Sequence, residues 1–210
     1  MIWLTEEIKF PPYNKTTRHG IIALGGDLSS ERLIHAYENG IFPWFSEFDP
    51  IIWYCPHVRM VLFPEEIKIS KSMKKVIKKD DFRITQDQAF PDVIYQCKSI
   101  ERKDEGDTWI TDDMERAYIE MHHRGYASSI EVWQGDELVG GLYGVVVNGV
   151  FCGESMFSRV ANASKLAFIH LAQCGKYRLI DCQIYTKHLA SLGAREIERD
   201  EFLDILKVNP

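Results

Sequence analysis

A chain of 210 residues, 45% hydrophobic and 12% aromatic, excludes a disordered protein and fits one large domain with a small companion. A net charge of −6 by itself argues against nucleic acid, while no run approaching the ~18 apolar residues of a membrane span and a start (Met1-Ile2-Trp3-Leu4-Thr5) without a basic, apolar leader argue against a membrane or secreted protein. Five cysteines, odd in number and with no Cys-x-x-Cys pair, speak against a disulfide framework or a zinc site, so a reduced, cytoplasmic protein without metal is expected.

The first 57 residues are rich in turns. Gly25-Gly26-Asp27 makes a tight turn, Ser29 is an N-cap candidate for a helix through Glu38, and Asn39-Gly40 closes it. Ile41-Phe42-Pro43-Trp44-Phe45 and Ile51-Ile52-Trp53-Tyr54-Cys55-Pro56 hold more aromatics than so small a unit can enclose. Some of them are expected to face a second domain or a ligand. A boundary near 57 divides this unit, 1–57, from a larger one, 58–210.

From 58 the pattern lengthens. A strand is predicted at 58–63, followed by six lysines (68, 71, 74, 75, 78 and 79) within twelve residues that hold no acid. Removing those six leaves 19 basic against 31 acidic residues, a balance of −12 elsewhere. Lys71, Lys74, Lys75 and Lys78 share one helical face, with Met73, Val76 and Ile77 on the other and Ser70 or Ser72 as cap. On its own such a stripe is usually a solvated face; on an acidic protein it also attracts phosphates locally. A short strand at 82–85 and helices at 89–98 and 112–124 follow. Strands at 129–133 and 137–147 flank Gln134-Gly135-Asp136, and Asn148-Gly149 turns into a third strand, 150–157. A helix at 163–174, an apolar strand at 179–183, a short helix at 188–192 and a strand opening at Glu196 complete the order.

Phe151-Cys152-Gly153-Glu154-Ser155-Met156-Phe157-Ser158 sets a carboxylate among apolar rings, which is costly unless the group is paired or hydrogen-bonded. The stretch reads either as the wall of a pocket or as a strand end whose Glu154 faces water. The element order predicts an α+β fold with a mixed, mostly antiparallel central sheet, in the layout of GNAT-type acyltransferases. In that layout the sheet splays to admit an acyl donor, and Gly140-Gly141 and Gly144 suit a bulged strand beside the gap. The Gly-rich pyrophosphate loop of coenzyme A users is missing before the helix at 163. Acyl transfer without coenzyme A is the reading, ahead of an acetyl-CoA enzyme and of a non-catalytic tRNA-binding module.

Eight strings occur in order. They are Gly25-Gly26-Asp27-Leu28-Ser29, Gly40-Ile41-Phe42-Pro43-Trp44-Phe45, Gly106-Asp107-Thr108-Trp109-Ile110, Ser129-Ile130-Glu131-Val132-Trp133, Gly140-Gly141-Leu142-Tyr143-Gly144, the 151–158 stretch, Asn162-Ala163-Ser164-Lys165, and Leu179-Ile180-Asp181-Cys182-Gln183. Together they resemble the leucyl/phenylalanyl-tRNA–protein transferases. The resemblance implies a cytoplasmic, monomeric enzyme that needs no cofactor, since an aminoacyl-tRNA ester is already activated. It implies transfer of Leu or Phe, with Met as a further donor, from aminoacyl-tRNA to the N-terminal Lys or Arg of an acceptor protein. That transfer tags the acceptor for N-end-rule degradation.

By the same resemblance Asp181, Gln183 and Glu154 are catalytic. Asp181 and Gln183, two apart on a strand and so on one face, assist deprotonation of the attacking amine, Gln183 touching substrate and Asp181 polarising it. Glu154 binds polar groups near the ester or, alternatively, the acceptor's basic side chain; Asp181 could equally bond a neighbouring loop. Leu142, Phe151, Met156, Leu171 and Ile180 form the donor side-chain slot. The family pattern has Met at 142 and Phe at 171, so Leu at both implies an altered slot, and Thr186 stands at an Asn position. Trp44, Trp109 and Tyr118 enclose the terminal adenosine, although Tyr118 alone also fits a helical core position. Lys71, Lys75 and Lys78 contact the acceptor stem without reading its sequence.

Overall fold

The computed structural model describes residues 1–100 and 109–208. Four short strands form a sheet of their own in the order β1-β2-β4-β3: β1 (Trp3–Leu4), β2 (Ile21–Gly25), β3 (Phe42–Pro43) and β4 (Ile52–Tyr54). Helix α1 (Ser30–Glu38) joins β2 to β3. The Ser29 hydroxyl accepts the Arg32 N–H, satisfying one of the first-turn donors the helix itself cannot bond.

A seven-stranded sheet carries the rest, in the order β11-β5-β10-β9-β8-β7-β6. Its members are β5 (Val58–Leu62), β6 (Arg83–Gln86), β7 (Ala127–Gln134), β8 (Glu137–Val147), β9 (Val150–Ser158), β10 (Leu179–Gln183) and β11 (Arg195–Glu198). All pairs are antiparallel except β9 with β10. This is the mixed, mostly antiparallel sheet of an α+β protein. Among the described residues no helix is long and apolar enough to cross a membrane.

Each face of the large sheet has its own core, as alternation along the strands requires. One face packs Tyr143, Val145, Cys152 and Leu179 under α1, α3 (Phe90–Ser99), α4 (Asp112–His123) and α7 (Arg199–Lys207). The other packs Met60, Leu62, Leu142, Phe151 and Ile180 under α2 (Lys71–Lys79), α5 (Ala163–Gln173) and α6 (Lys187–Ser191). Helix α5 closes tightly on the sheet at Gly140, where a Cβ would sit 2.5 Å from that of Ala163.

The structure adds one element and narrows one buried face. The segment past Ile197 is an ordered helix, α7, whose Phe202, Leu203 and Leu206 are buried. Only Met73 of the lysine helix is fully buried; Val76 is half-buried and Ile77 exposed. Lys71, Lys74, Lys75 and Lys78 are all exposed.

Candidate active site

Phe151 and Met156 are five residues apart, so in a regular strand they would lie on opposite faces. Both pack on the α5 face because β9 gains one residue against β8. Tyr143 pairs with Ser155 and Gly144 with Gly153, leaving Glu154 as the bulged residue between them. Gly144 permits the kink: a Cβ there would lie 2.3 Å from the Cys152 carbonyl oxygen. Beyond this point β9 leaves β10, which it pairs only from Val150 to Cys152. A cleft of about 920 Å³ occupies the gap. Its apolar part includes Leu142 opposite Met156, Phe151 opposite Ile180, and Leu171 of α5.

Glu154 stands at the cleft wall, half-buried. Its Oε1 accepts from Tyr37 Oη and Gln183 Nε2, each at 2.7 Å, and its Oε2 from Tyr118 Oη at 3.0 Å. The two tyrosine hydroxyls are themselves 2.6 Å apart. Three oxygen–oxygen contacts thus share two hydroxyl protons, since each phenol carries one. A protonated Glu154 supplies the third and closes a ring: Oε2–H to Tyr118, Tyr118 to Tyr37, Tyr37 to Oε1. Burial accordingly lifts the Glu154 carboxyl to about 7, while the donors from Tyr37, Tyr118 and Gln183 restrain the rise. Burial, reinforced by the nearby carboxylate, holds both phenols well above their ordinary range, so they stay protonated. The assembly can accept a proton near neutrality and give it back.

Asp181 lies deeper. Its Oδ1 accepts from Arg59 Nε and its Oδ2 from Arg59 Nη2, at 2.8 and 2.7 Å, and both residues are buried. The Oδ1 atom also accepts the backbone N–H of Gln183 at 2.8 Å. Gln183 is left-handed, with φ 62°, because β10 slips register against β5 between Asp181 and Gln183. The strand argument that both side chains share a face therefore fails. Asp181 touches the backbone of Gln183 and not its side-chain amide, so it does not polarise that amide directly.

The carboxyl-lined cleft sits in a chain with clear relatives. Residues 61–207 match the family model described as leucyl/phenylalanyl-tRNA protein transferase, and 26–57 match the model of that family's N-terminal domain. A leucyl/phenylalanyl-tRNA–protein transferase of Flavobacterium psychrophilum is 56% identical over 99% of this chain and 100% of its own length. One from Syntrophobacter fumaroxidans is 52% identical over 98% of this chain and 89% of its own. The chain belongs to the leucyl/phenylalanyl-tRNA protein transferase family. Among solved structures, a GCN5-related N-acetyltransferase from Kribbella flavida matches at 8% identity and TM-score 0.40, over 77% of this chain and 58% of that one.

Of the residues the transferase motifs pointed to, all five expected in the donor slot line the one cleft, as do Glu154, Asp181, Gln183, Trp44 and Trp109. Trp44 is 42% exposed and leans on Tyr54, with ring centroids 5.7 Å apart. Gly106, Asp107 and Thr108 of the third motif lie outside the described residues. Tyr118 does not line the cleft. It is fully enclosed behind Glu154 and offers no ring face to a base, so its hydroxyl is what it contributes. The lysine helix does not line the cleft. Among the described residues no group of His, Cys, Asp and Glu could hold a metal ion.

Sequence reasoning overlooked Tyr37 and Arg59. Tyr37 looked like any aromatic on an amphipathic helix. Arg59 did leave a signal: a guanidinium inside the apolar strand Val58-Arg59-Met60-Val61-Leu62 requires a buried acid. Asp181, inside the equally apolar Leu179-Ile180-Asp181-Cys182-Gln183, is the matching one.

Proposed function

We propose that this protein transfers leucyl or phenylalanyl groups, and methionyl groups as well, from aminoacyl-tRNA to the N-terminal amine of proteins beginning with Lys or Arg. Family membership supports the reaction class. The observation that carries the chemical reading is Glu154, a carboxyl held by Tyr37, Tyr118 and Gln183 beside an apolar slot. The donor side chain enters between Leu142, Phe151, Met156, Leu171 and Ile180, and the terminal adenosine stacks on Trp44 and Trp109. Base–aromatic stacking of this kind is worth ~1–3 kcal/mol per base.

The attacking α-amine adds to the ester carbonyl carbon, and its proton passes to ionised Glu154. The carbon–oxygen bond to the ribose then breaks, and the same proton leaves Glu154 for the ribose oxygen. Gln183 holds Oε1 in place and orients the carboxylate. No external energy source is required, because one acyl bond replaces another. The protein acts as a cytoplasmic monomer in this reading, with its aromatic-rich unit 1–57 closing one side of the cleft of unit 58–210.

Purified protein given charged tRNA and a peptide beginning with Arg or Lys is expected to form the Leu- or Phe-extended peptide. Absence of transfer from every charged tRNA would overturn the reading. The lysine helix meets the acceptor-stem phosphates. Lys71→Ala with Lys75→Ala is expected to weaken tRNA binding and to lower the slope of log affinity against log salt by about 1 per lysine. Turnover at saturating tRNA stays unchanged, which filter binding and steady-state kinetics check together.

A further inference from the structure

The residue with no part in the chemistry above, yet the most heavily constrained polar group beside it, is Arg59. It is 2% exposed and makes three kinds of contact. Its fork grips both oxygens of Asp181. Nη1 donates to the Gly40 carbonyl at 3.1 Å. Its guanidinium carbon lies 4.7 Å from the ring centroids of both Phe42 and Phe202. The turn after α1, strands β5 and β10, and helix α7 thus meet on one side chain. Gly40 allows the meeting: it is left-handed, and a Cβ there would press to 2.7 Å from Leu203.

Asp181 in turn fixes Gln183. A non-glycine residue in the left-handed region is strained, and the N–H of Gln183 to Oδ1 of Asp181 is the bond that sustains it here. That turn brings Gln183 Nε2 to 2.7 Å from Glu154. We propose that Arg59 is a positioning residue of the transfer site, clamping Asp181 at two points so that Gln183 keeps the left-handed turn that presents its amide to Glu154. A lysine at 59 keeps the charge but loses the planar fork, leaving Asp181 free to rotate about a single contact. The proposal rests on the aminoacyl-transfer reading only for its kinetic arm.

The test is Arg59→Lys, read by kinetics and by a carbon-13 NMR titration of the Glu154 carboxyl. Groups that face that carboxyl are Tyr37 from α1, Tyr118 from α4, Asp181 and Gln183 from β10, and Cys152 on β9. All are retained in the variant. The expected result is turnover lower by ~10–100-fold, as for a small misplacement of a reacting group, with KM for charged tRNA within about twofold. Glu154 is expected to titrate higher than in the parent, because the donor bond from Gln183 is lost. In a Gln183→Ala background, Arg59→Lys is expected to add no more than about a twofold loss, since both act through one contact.

Should Arg59→Lys fail to fold, Arg59→Met with Asp181→Asn removes both charges together; because the Asp181 charge itself raises the Glu154 carboxyl, this variant is read by turnover and by the Gln183→Ala background alone. A folded variant with parental turnover and an unmoved Glu154 titration overturns the proposal, as does a full second loss in the Gln183→Ala background; either makes Arg59 a core ion pair only. If the parent itself transfers nothing, the functional reading fails, and the Glu154 titration still decides the role of Arg59.

Discussion

Glu154→Gln is expected to lower turnover by ~10²–10⁴-fold, the span of positioned acid–base groups, while leaving tRNA affinity within about twofold. The amide has the shape of the neutral acid. It can keep the ring of contacts with Tyr37 and Tyr118, so the site stays formed, but it cannot take a proton from the amine. In the parent the acid limb of the rate profile should bend near the Glu154 value of about 7, rising with pH as the carboxylate forms. In the variant only the limb of the attacking α-amine, at ~8, remains. A variant that retains both rate and the parental limb would remove Glu154 from the proton path.

The same carboxyl leaves a mark on stability. Its folded value of about 7 lies above the unfolded 4.5, so between those limits the folded state holds a proton that the unfolded chain does not. The contribution is fully present below about pH 4.5 and is lost as pH rises through about 7. Its size is at most about 3 kcal/mol at ~1.4 kcal/mol per pH unit. Urea unfolding at pH 5 and pH 8 should therefore reveal a larger fall in the parent than in Glu154→Gln. An equal fall in both proteins would mean that the carboxyl is not raised.

Asp181→Ala is expected to act mainly on folding. It leaves the Arg59 guanidinium buried without a counter-charge, and removing one partner of such a pair costs about 3–5 kcal/mol. In a chain of this size that corresponds to a melting temperature lower by ~10 °C. Burial alone would pull Arg59 down, yet Asp181 holds it above its ordinary value, so it stays charged when the partner is present. Replacing both members, as Arg59→Met with Asp181→Leu, should restore most of the loss, because no unpaired charge remains. Thermal unfolding of the two variants checks this. Lost activity in Asp181→Ala must accordingly be read at a temperature where the variant is folded.

Local features were the legible ones. Ser29 and Ser70 cap their helices, Gly135-Asp136 turns its hairpin, and the lysines at 71, 74, 75 and 78 stand exposed on one face. Each is written within a few residues, where backbone donors and side-chain spacing decide the outcome. The motif strings likewise named five apolar residues, Leu142, Phe151, Met156, Leu171 and Ile180, that line one cleft. The hydrogen-bond surroundings of Glu154 were not legible. Glu154 turns toward Tyr37 and Tyr118 because a single-residue bulge reverses the alternation of β9, and no period in the sequence announces it. Tyr118 and a base-stacking tyrosine look alike in sequence; only enclosure separates them. The pairing of Arg59 with Asp181 spans 122 residues. Such a pair is set by which strands become neighbours, and only the packed sheet makes β5 and β10 adjacent and turns two buried charges into one clamp.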